Sequence, residues 1–335
     1  MTTEHEAWLA MTEEPAIDPD VPICDPHHHF WERPDDRYLL DDLLRDAGGG
    51  HNIARTVFVE CRSMYRKDGP EEMRPVGETE FVQGIAAQSA SGGYGDTAVA
   101  AGIVGRADLT FGAAVAPVLE ALIEASRKRF RGIRHSSAWD LDPDIRAYMA
   151  PPQGLLLDPT FREGFACLES AGLSFDAWLY HPQIMDLVSL ARAHPGVPIV
   201  LDHVGGPIGV GAYAGKREEV VEAWKQAITE LATCPNVSVK LGGLGMPFCG
   251  NGWDQRPTPP GSTELADVMA PYFHHCIESF GVDRCMFESN FPVDKASYSY
   301  TVMWNAFKRI CADFSATERA ALLHDTAARF YRLSG

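Results

Sequence analysis

Eight short runs rich in β-branched and apolar residues alternate along the chain with longer segments of helical spacing. That alternation constrains the fold more than any other feature. The runs are VPICD (21–25), ARTVFVEC (54–61), TAVAAGIVG (97–105), FRGIRH (130–135), LSFDAWLY (173–180), VPIVLDHV (197–204), NVSVKLGG (236–243) and DRCMFESN (283–290). Most are continuously apolar, as expected for parallel strands covered on both faces. Helical patterns such as AAVAPVLEALIEASRKRF (113–130) and ELADVMAPYFHHCIESFG (264–281) fall between them. Eight β-then-α units predict an α/β chain folded as a (β/α)8 TIM barrel, read here as one domain over residues 1–335 with 1–20 as an N-terminal extension. An open doubly wound sheet is the runner-up, but the first run lacks the glycine-rich phosphate fingerprint of dinucleotide folds.

Two inserts, 136–160 after the fourth run and 245–263 after the seventh, are longer than plain connections. Both follow the C-terminal ends of strands, where barrel enzymes place their sites. Those strand ends carry the chemistry. In ICDPHHHFW, His27 and His29 alternate to one side and His28 to the other. An HxH pair of this kind chelates zinc, manganese or iron through neutral imidazoles. The fifth run ends in His181 and the sixth in His203, within LDHVGGP.

Other polar groups gather at the same face. Arg134 and His135 end the fourth run, and Glu60 and Arg62 the second. Asp176 alternates outward if His181 points inward. Lys240 shares a face with Gly242, where glycines keep the backbone open to a ligand, and Arg256 is placed to reach down from the second insert. Arginines at a barrel mouth suit an oxyanion. Trp31, Trp139 and Trp253 are candidates to wall a pocket.

ICDPHHHFW, LDHVGGP and MFESNFP together resemble the amidohydrolase-2 family of the amidohydrolase superfamily. The likeness is to its lactonase branch, which includes 2-pyrone-4,6-dicarboxylate lactonase and L-fuconolactonase. It runs from residue 21 to the closing LLHDTAARFYRL. It implies a barrel with the HxH pair after strand one, histidines after strands five and six, and an Asp after strand eight. In much of the superfamily these hold one or two metals that activate water, whereas some lactonases work without one. The chain departs from the pattern at strand eight, where the family resembles GSDFP and this sequence reads ESNFP. The Asp position is Asn290, and an amide is a poor base and a weak ligand. Glu288 faces the same side two residues earlier and is expected to supply the carboxylate from one layer deeper. A structural ion pair to Lys240 is the competing reading, and Asp294 is another candidate. The fourth run holds no lysine for a metal-bridging carbamate.

These observations predict a hydrolase that opens a small lactone, either a sugar lactone or a pyrone or muconolactone carboxylate. His27, His29 and His181 would hold a zinc or manganese ion, or donate hydrogen bonds without one. His203 would orient the carbonyl or assist proton transfer, with Asn290 beside it. Glu288 would deprotonate water, helped by a raised pKa in a dry barrel. Arg62, Arg134, His135, Lys240 and Arg256 would bind a small, anionic or sugar-derived substrate. A metal-dependent decarboxylase of an aromatic or muconate-type acid and a catalytically silent ligand-binding barrel are the alternatives.

The 46 acidic and 29 basic residues give a net charge of -17, which argues against nucleic acid or an anionic membrane as partner. No apolar run approaches the roughly 18 residues of a membrane helix. The start of the chain lacks a secretion signal, and the eight cysteines show no CxxC spacing. A cytoplasmic location is expected, and a homo-oligomer is compatible with the sequence.

Overall fold

A computed structural model describes residues 3–34, 36–143, 145 and 151–333. Part of the insert 136–160 therefore lies outside the described residues. The described strands are β1 (Pro22–His28), β2 (Trp31–Arg33), β3 (Asp36–Tyr38), β4 (Asn52–Val59), β5 (Ala98–Gly105), β6 (Phe130–Arg134), β7 (Ser174–Ala177), β8 (Ile199–Leu201), β9 (Val237–Leu241) and β10 (Cys285–Phe287). All but β2 and β3 pair in parallel in the order β1-β4-β5-β6-β7-β8-β9-β10. The last strand returns to the first: the His29 amide donates to the Phe291 carbonyl at 2.8 Å, and the Asn290 amide to the His27 carbonyl at 2.9 Å. The eight expected strands thus form a nearly closed barrel.

Period-two alternation sorts the strand residues. Cys24, Val57, Val104, Val200 and Met286 point inward and pack with Tyr331 from the chain's final turn. Phe58, Ile133, Phe175, Ile199, Val239 and Phe287 point outward into the larger core shared with the helices. Those helices include α3 (Val76–Ser89), α4 (Ala116–Ala125), α5 (Pro159–Ala171), α6 (Ile184–Ala193), α7 (Arg217–Ala232), α8 (Ser262–Phe280) and α9 (Tyr300–Ile310). Burying such apolar surface at about 25 cal/mol per Å² supplies the main driving force.

Several elements went unread in the sequence. The β2–β3 hairpin and α2 (Leu40–Ala47) fill the stretch after strand one. A first helix, α1 (Thr3–Leu9), lies within the N-terminal extension. The extension docks on the barrel: Trp8 Nε1 donates to the Arg256 carbonyl, and Glu14 Oε1 accepts from the Ser262 amide at the start of α8. Strands β7, β8 and β10 are shorter than their apolar runs. The last two are cut by left-handed backbone, with φ of 55° at both His203 and Asn290. No described helix is long and apolar enough to cross a membrane.

Candidate active site

A cavity of about 430 Å³ opens at the C-terminal ends of the strands. His29, Arg33, Asp36, Glu60, Arg134, Ser136, His203 and Asn290 supply its polar lining, and Trp31, Trp178, Tyr180, Met246 and Phe248 its apolar walls. Trp31 is the one of the three proposed tryptophans that lines it. Trp253 packs edge-on against Tyr298, and the backbone of Trp139 bonds to the Gln183 amide.

His203 is held by Glu288. One carboxylate oxygen, Oε1, accepts from the His203 backbone amide at 2.9 Å and lies 2.7 Å from its Nδ1. The left-handed backbone at His203 and Val204, costly for residues with a Cβ, is fixed by these bonds and by Trp224 Nε1 donating to the Val204 carbonyl at 2.7 Å. The two glycines after β9 make the room: a Cβ on Gly242 would meet Glu288, and one on Gly243 the His203 ring. They admit side chains here, where the sequence suggested they admit a ligand.

Glu288 itself is fully buried and does not line the cavity. Burial raises its pKa, but His203 and His27 outweigh it and hold the carboxyl at about 2. The expected raised pKa is therefore corrected: two imidazoles in contact favour the charged form. The ion pair with Lys240 is also absent. Lys240 Nζ instead sits 2.7 Å from Asp176 and 3.0 Å from Asp202, all three fully buried. Asp176 thus points into the barrel, because β7 ends at Ala177 and alternation does not carry through to His181. Burial lowers the Lys240 pKa, yet Asp176 and Asp202 bring it above the usual ammonium range. Burial pushes Asp176 up to about 6 despite Lys240.

His27 lies between these groups. Its Nδ1 is 2.8 Å from Glu288 Oε2 and 3.1 Å from Lys240 Nζ, and its Nε2 is 3.2 Å from Arg134 Nη1. Burial and then the Lys240 charge keep it neutral. His29 Nδ1 meets the Val59 carbonyl at 2.7 Å, which fixes the proton there and leaves Nε2 as an acceptor. His28 turns to the other side, against Thr56, Phe30 and Phe58.

Four expected site residues sit elsewhere. His181 Nδ1 accepts from the Ile208 amide at 3.3 Å and its ring meets Tyr213, because Trp178 and Tyr180 take the cavity positions after β7. His135 accepts from the Leu109 amide and packs on Phe161 in the shell outside the barrel. Arg62 is exposed. Arg256 pairs with Glu264 on α8 and does not line the cavity. Asp294 is also outside the cavity, accepting from Tyr298 at 2.5 Å, Gly245 at 3.1 Å and Asn290 Nδ2 at 2.8 Å. It fixes the Asn290 amide with Oδ1 away from it. The sequence reading passed over Asp202, although it adjoins His203 in a quoted motif, and Trp178, whose apolar run gave no hint of a cavity wall.

The one group of three potential metal ligands among the described residues is His27, His203 and Glu288, with ligand atoms within 4.8 Å of one another. Two imidazoles and a carboxylate suit zinc. Among the described residues, Glu288 Oε2 and both Asp202 oxygens are buried without an aligned hydrogen-bond donor, short as the His27–Glu288 and Lys240–Asp202 separations are. Four carboxylates (Glu60, Asp176, Asp202, Glu288) face two permanent cations, Arg134 and Lys240, so a divalent ion fits the charge balance. His29 and His181 stand outside this group.

A parallel barrel with imidazoles and carboxylates converging below a cavity at its C-terminal face has the architecture of a barrel enzyme. The family model described as Amidohydrolase matches residues 24–333, and the chain belongs to this family. It is 35% identical to the uncharacterized protein y4mH of Sinorhizobium fredii over 330 residues, covering 94% of this chain and 99% of that one. It is 27% identical to an L-fucono-1,5-lactonase of Burkholderia multivorans over 321 residues, 92% of this chain and 95% of the relative. A Burkholderia multivorans amidohydrolase crystallised with bound zinc superposes with a TM-score of 0.70 at 26% identity, covering 93% of this chain and 99% of that one.

Proposed function

We propose that this protein hydrolyses a small lactone, with His203 as the base that activates water. The observation that carries this is the His203–Glu288 pair: an ionised carboxylate on Nδ1 leaves Nε2 unprotonated at the cavity and stabilises the imidazolium that forms. Water would lose its proton to Nε2 as its oxygen attacks the ring carbonyl. His203 would return that proton to the ring oxygen as the C–O bond breaks, giving a hydroxy acid. Arg134 at the cavity floor places positive charge near the developing oxyanion. Glu288 acts through His203 and is a positioning residue. His29 Nε2 and Asn290 Oδ1 offer acceptors that orient water or substrate.

A divalent ion held by His27, His203 and Glu288 would supply Lewis acidity to the carbonyl in place of the His203 base, since a ring nitrogen given to the ion cannot also take the proton. The lactonase names among the relatives support the substrate class, and the zinc-bound neighbour supports the metal.

The test is a pH-indicator assay of acid release over sugar lactones, pyrone carboxylates and muconolactones, with and without added zinc or manganese. Metal content of the purified protein is measured alongside. Acid release from at least one lactone is expected. Silence across the panel with release of carbon dioxide from an aromatic acid would establish the decarboxylase instead, and tight binding without turnover the silent barrel.

A further inference from the structure

Glu60 follows β4 at the cavity edge and is 3% exposed. Its Oε1 accepts from Arg134 Nε at 2.9 Å, and Arg134 Nη2 is spent on the Glu60 backbone carbonyl. Its Oε2 is buried and accepts from nothing among the described residues. Two strands along, after β6, the Ser136 hydroxyl is likewise buried without a partner among them. Both residues line the same cavity. A buried acceptor left empty costs free energy that a ligand donor recovers.

The remaining charges of the cavity are committed. Arg134 is held by Glu60 and His27, Asp36 accepts from Trp31 Nε1 at 2.8 Å, and Arg33 stacks on the Trp31 ring at 4.5 Å. Among the lining side chains two cations thus face two carboxylates, so the side chains add no net positive charge for a carboxylated ring.

Resting on the lactonase reading above, we infer that Glu60 and Ser136 form a donor-seeking subsite. It selects an uncharged lactone bearing free hydroxyl groups and disfavours carboxylated pyrones and muconolactones. Glu60 is the specificity-determining residue, since the carboxylate oxygen it leaves unpaired can only accept.

The test compares kcat/KM for a polyhydroxylated 1,5-lactone, for δ-valerolactone, which has no hydroxyls, and for a pyrone dicarboxylate. Wild type, Glu60→Gln and Ser136→Ala are measured. Gln at 60 still accepts from Arg134 but turns an amide donor to the cavity, and Ser136→Ala guards against a folding defect at Glu60. The hydroxylated lactone is expected to lead δ-valerolactone by roughly tenfold or more. That ratio should collapse toward one in Glu60→Gln and fall in Ser136→Ala. Equal ratios in all three proteins, or a lead for the dicarboxylate, would overturn the subsite. If no lactone is opened, calorimetry with the same polyhydroxylated lactone separates the claims. Saturable binding weakened about tenfold by either substitution retains the subsite while the hydrolytic reading fails, and absence of binding overturns the subsite too.

Discussion

His203 Nδ1 lies 2.7 Å from Oε1 of Glu288, and the same oxygen accepts the His203 backbone amide at 2.9 Å. One buried carboxylate oxygen therefore fixes both the backbone and the ring of the residue that faces the cavity. Glu288→Gln tests this relationship. The Gln amide keeps an oxygen against the backbone N–H and Nδ1 but removes the negative charge that stabilises the imidazolium formed in the reaction. A fall in kcat of at least a hundredfold is expected, with KM nearly unchanged and partial recovery in Glu288→Asp. A rise in KM alone would assign Glu288 a purely structural part.

Lys240→Met should be far more damaging to the fold than to any single contact. It removes the ammonium shared by Asp176 and Asp202 inside the barrel. Breaking a buried ion pair from one side typically costs about 3–5 kcal/mol. Urea unfolding should report that loss, and adding Asp176→Asn should return part of it. A midpoint like that of wild type would mean that the ion group contributes little.

Asn290→Asp probes the family's usual residue in this chain's own surroundings. Asn290 Nδ2 donates to Asp294 at 2.8 Å, so an Asp there sets two buried carboxylates against each other. Burial already pushes Asp294 up to about 6. A loss of about 1–3 kcal/mol in stability and at least tenfold in kcat/KM is expected. Gain of activity would instead show that a carboxylate at 290 restores a working site.

Glu78 on α3 gives a pH signature. Its Oε1 accepts from the Cys61 and Ser63 amides, but burial and then the Glu60 carboxylate push its pKa up to about 8. The unfolded chain releases this proton near the ordinary carboxyl pKa of about 4.3. Stability should therefore fall as pH rises through this window, by up to about 1.4 kcal/mol per pH unit, and level off above about pH 8. Glu78→Gln keeps the acceptor and should flatten the slope in urea titrations between pH 5 and 9. An unchanged slope would place the titration elsewhere.

The barrel was legible because parallel strands covered on both faces read as continuous apolar runs, and all eight appear. The rim was legible in part. Arg134, Lys240 and Glu288 converge because each lies on or directly after a strand where period two holds, whereas a register shift between Asp25 and His28 and the left-handed turn at His203 bring His27 and His203 to the same place. His181 failed because β7 stops at Ala177, four residues short, and alternation cannot be carried through irregular backbone. Asp176 failed with it, since its direction was inferred from His181. The left-handed turns at His203 and Asn290 had no glycine to announce them. The β2–β3 hairpin escaped notice because WERPDDRY is too polar and short to signal strands.

The most direct test of the central claim is acid release from hydroxylated lactones by wild type and His203→Ala, each freed of metal and then supplemented with zinc. Measurable turnover in wild type, reduced at least a thousandfold in the variant under both conditions while circular dichroism is retained, is the predicted result. Turnover surviving in His203→Ala would contradict the assignment of the base and move the chemistry to another group at the cavity.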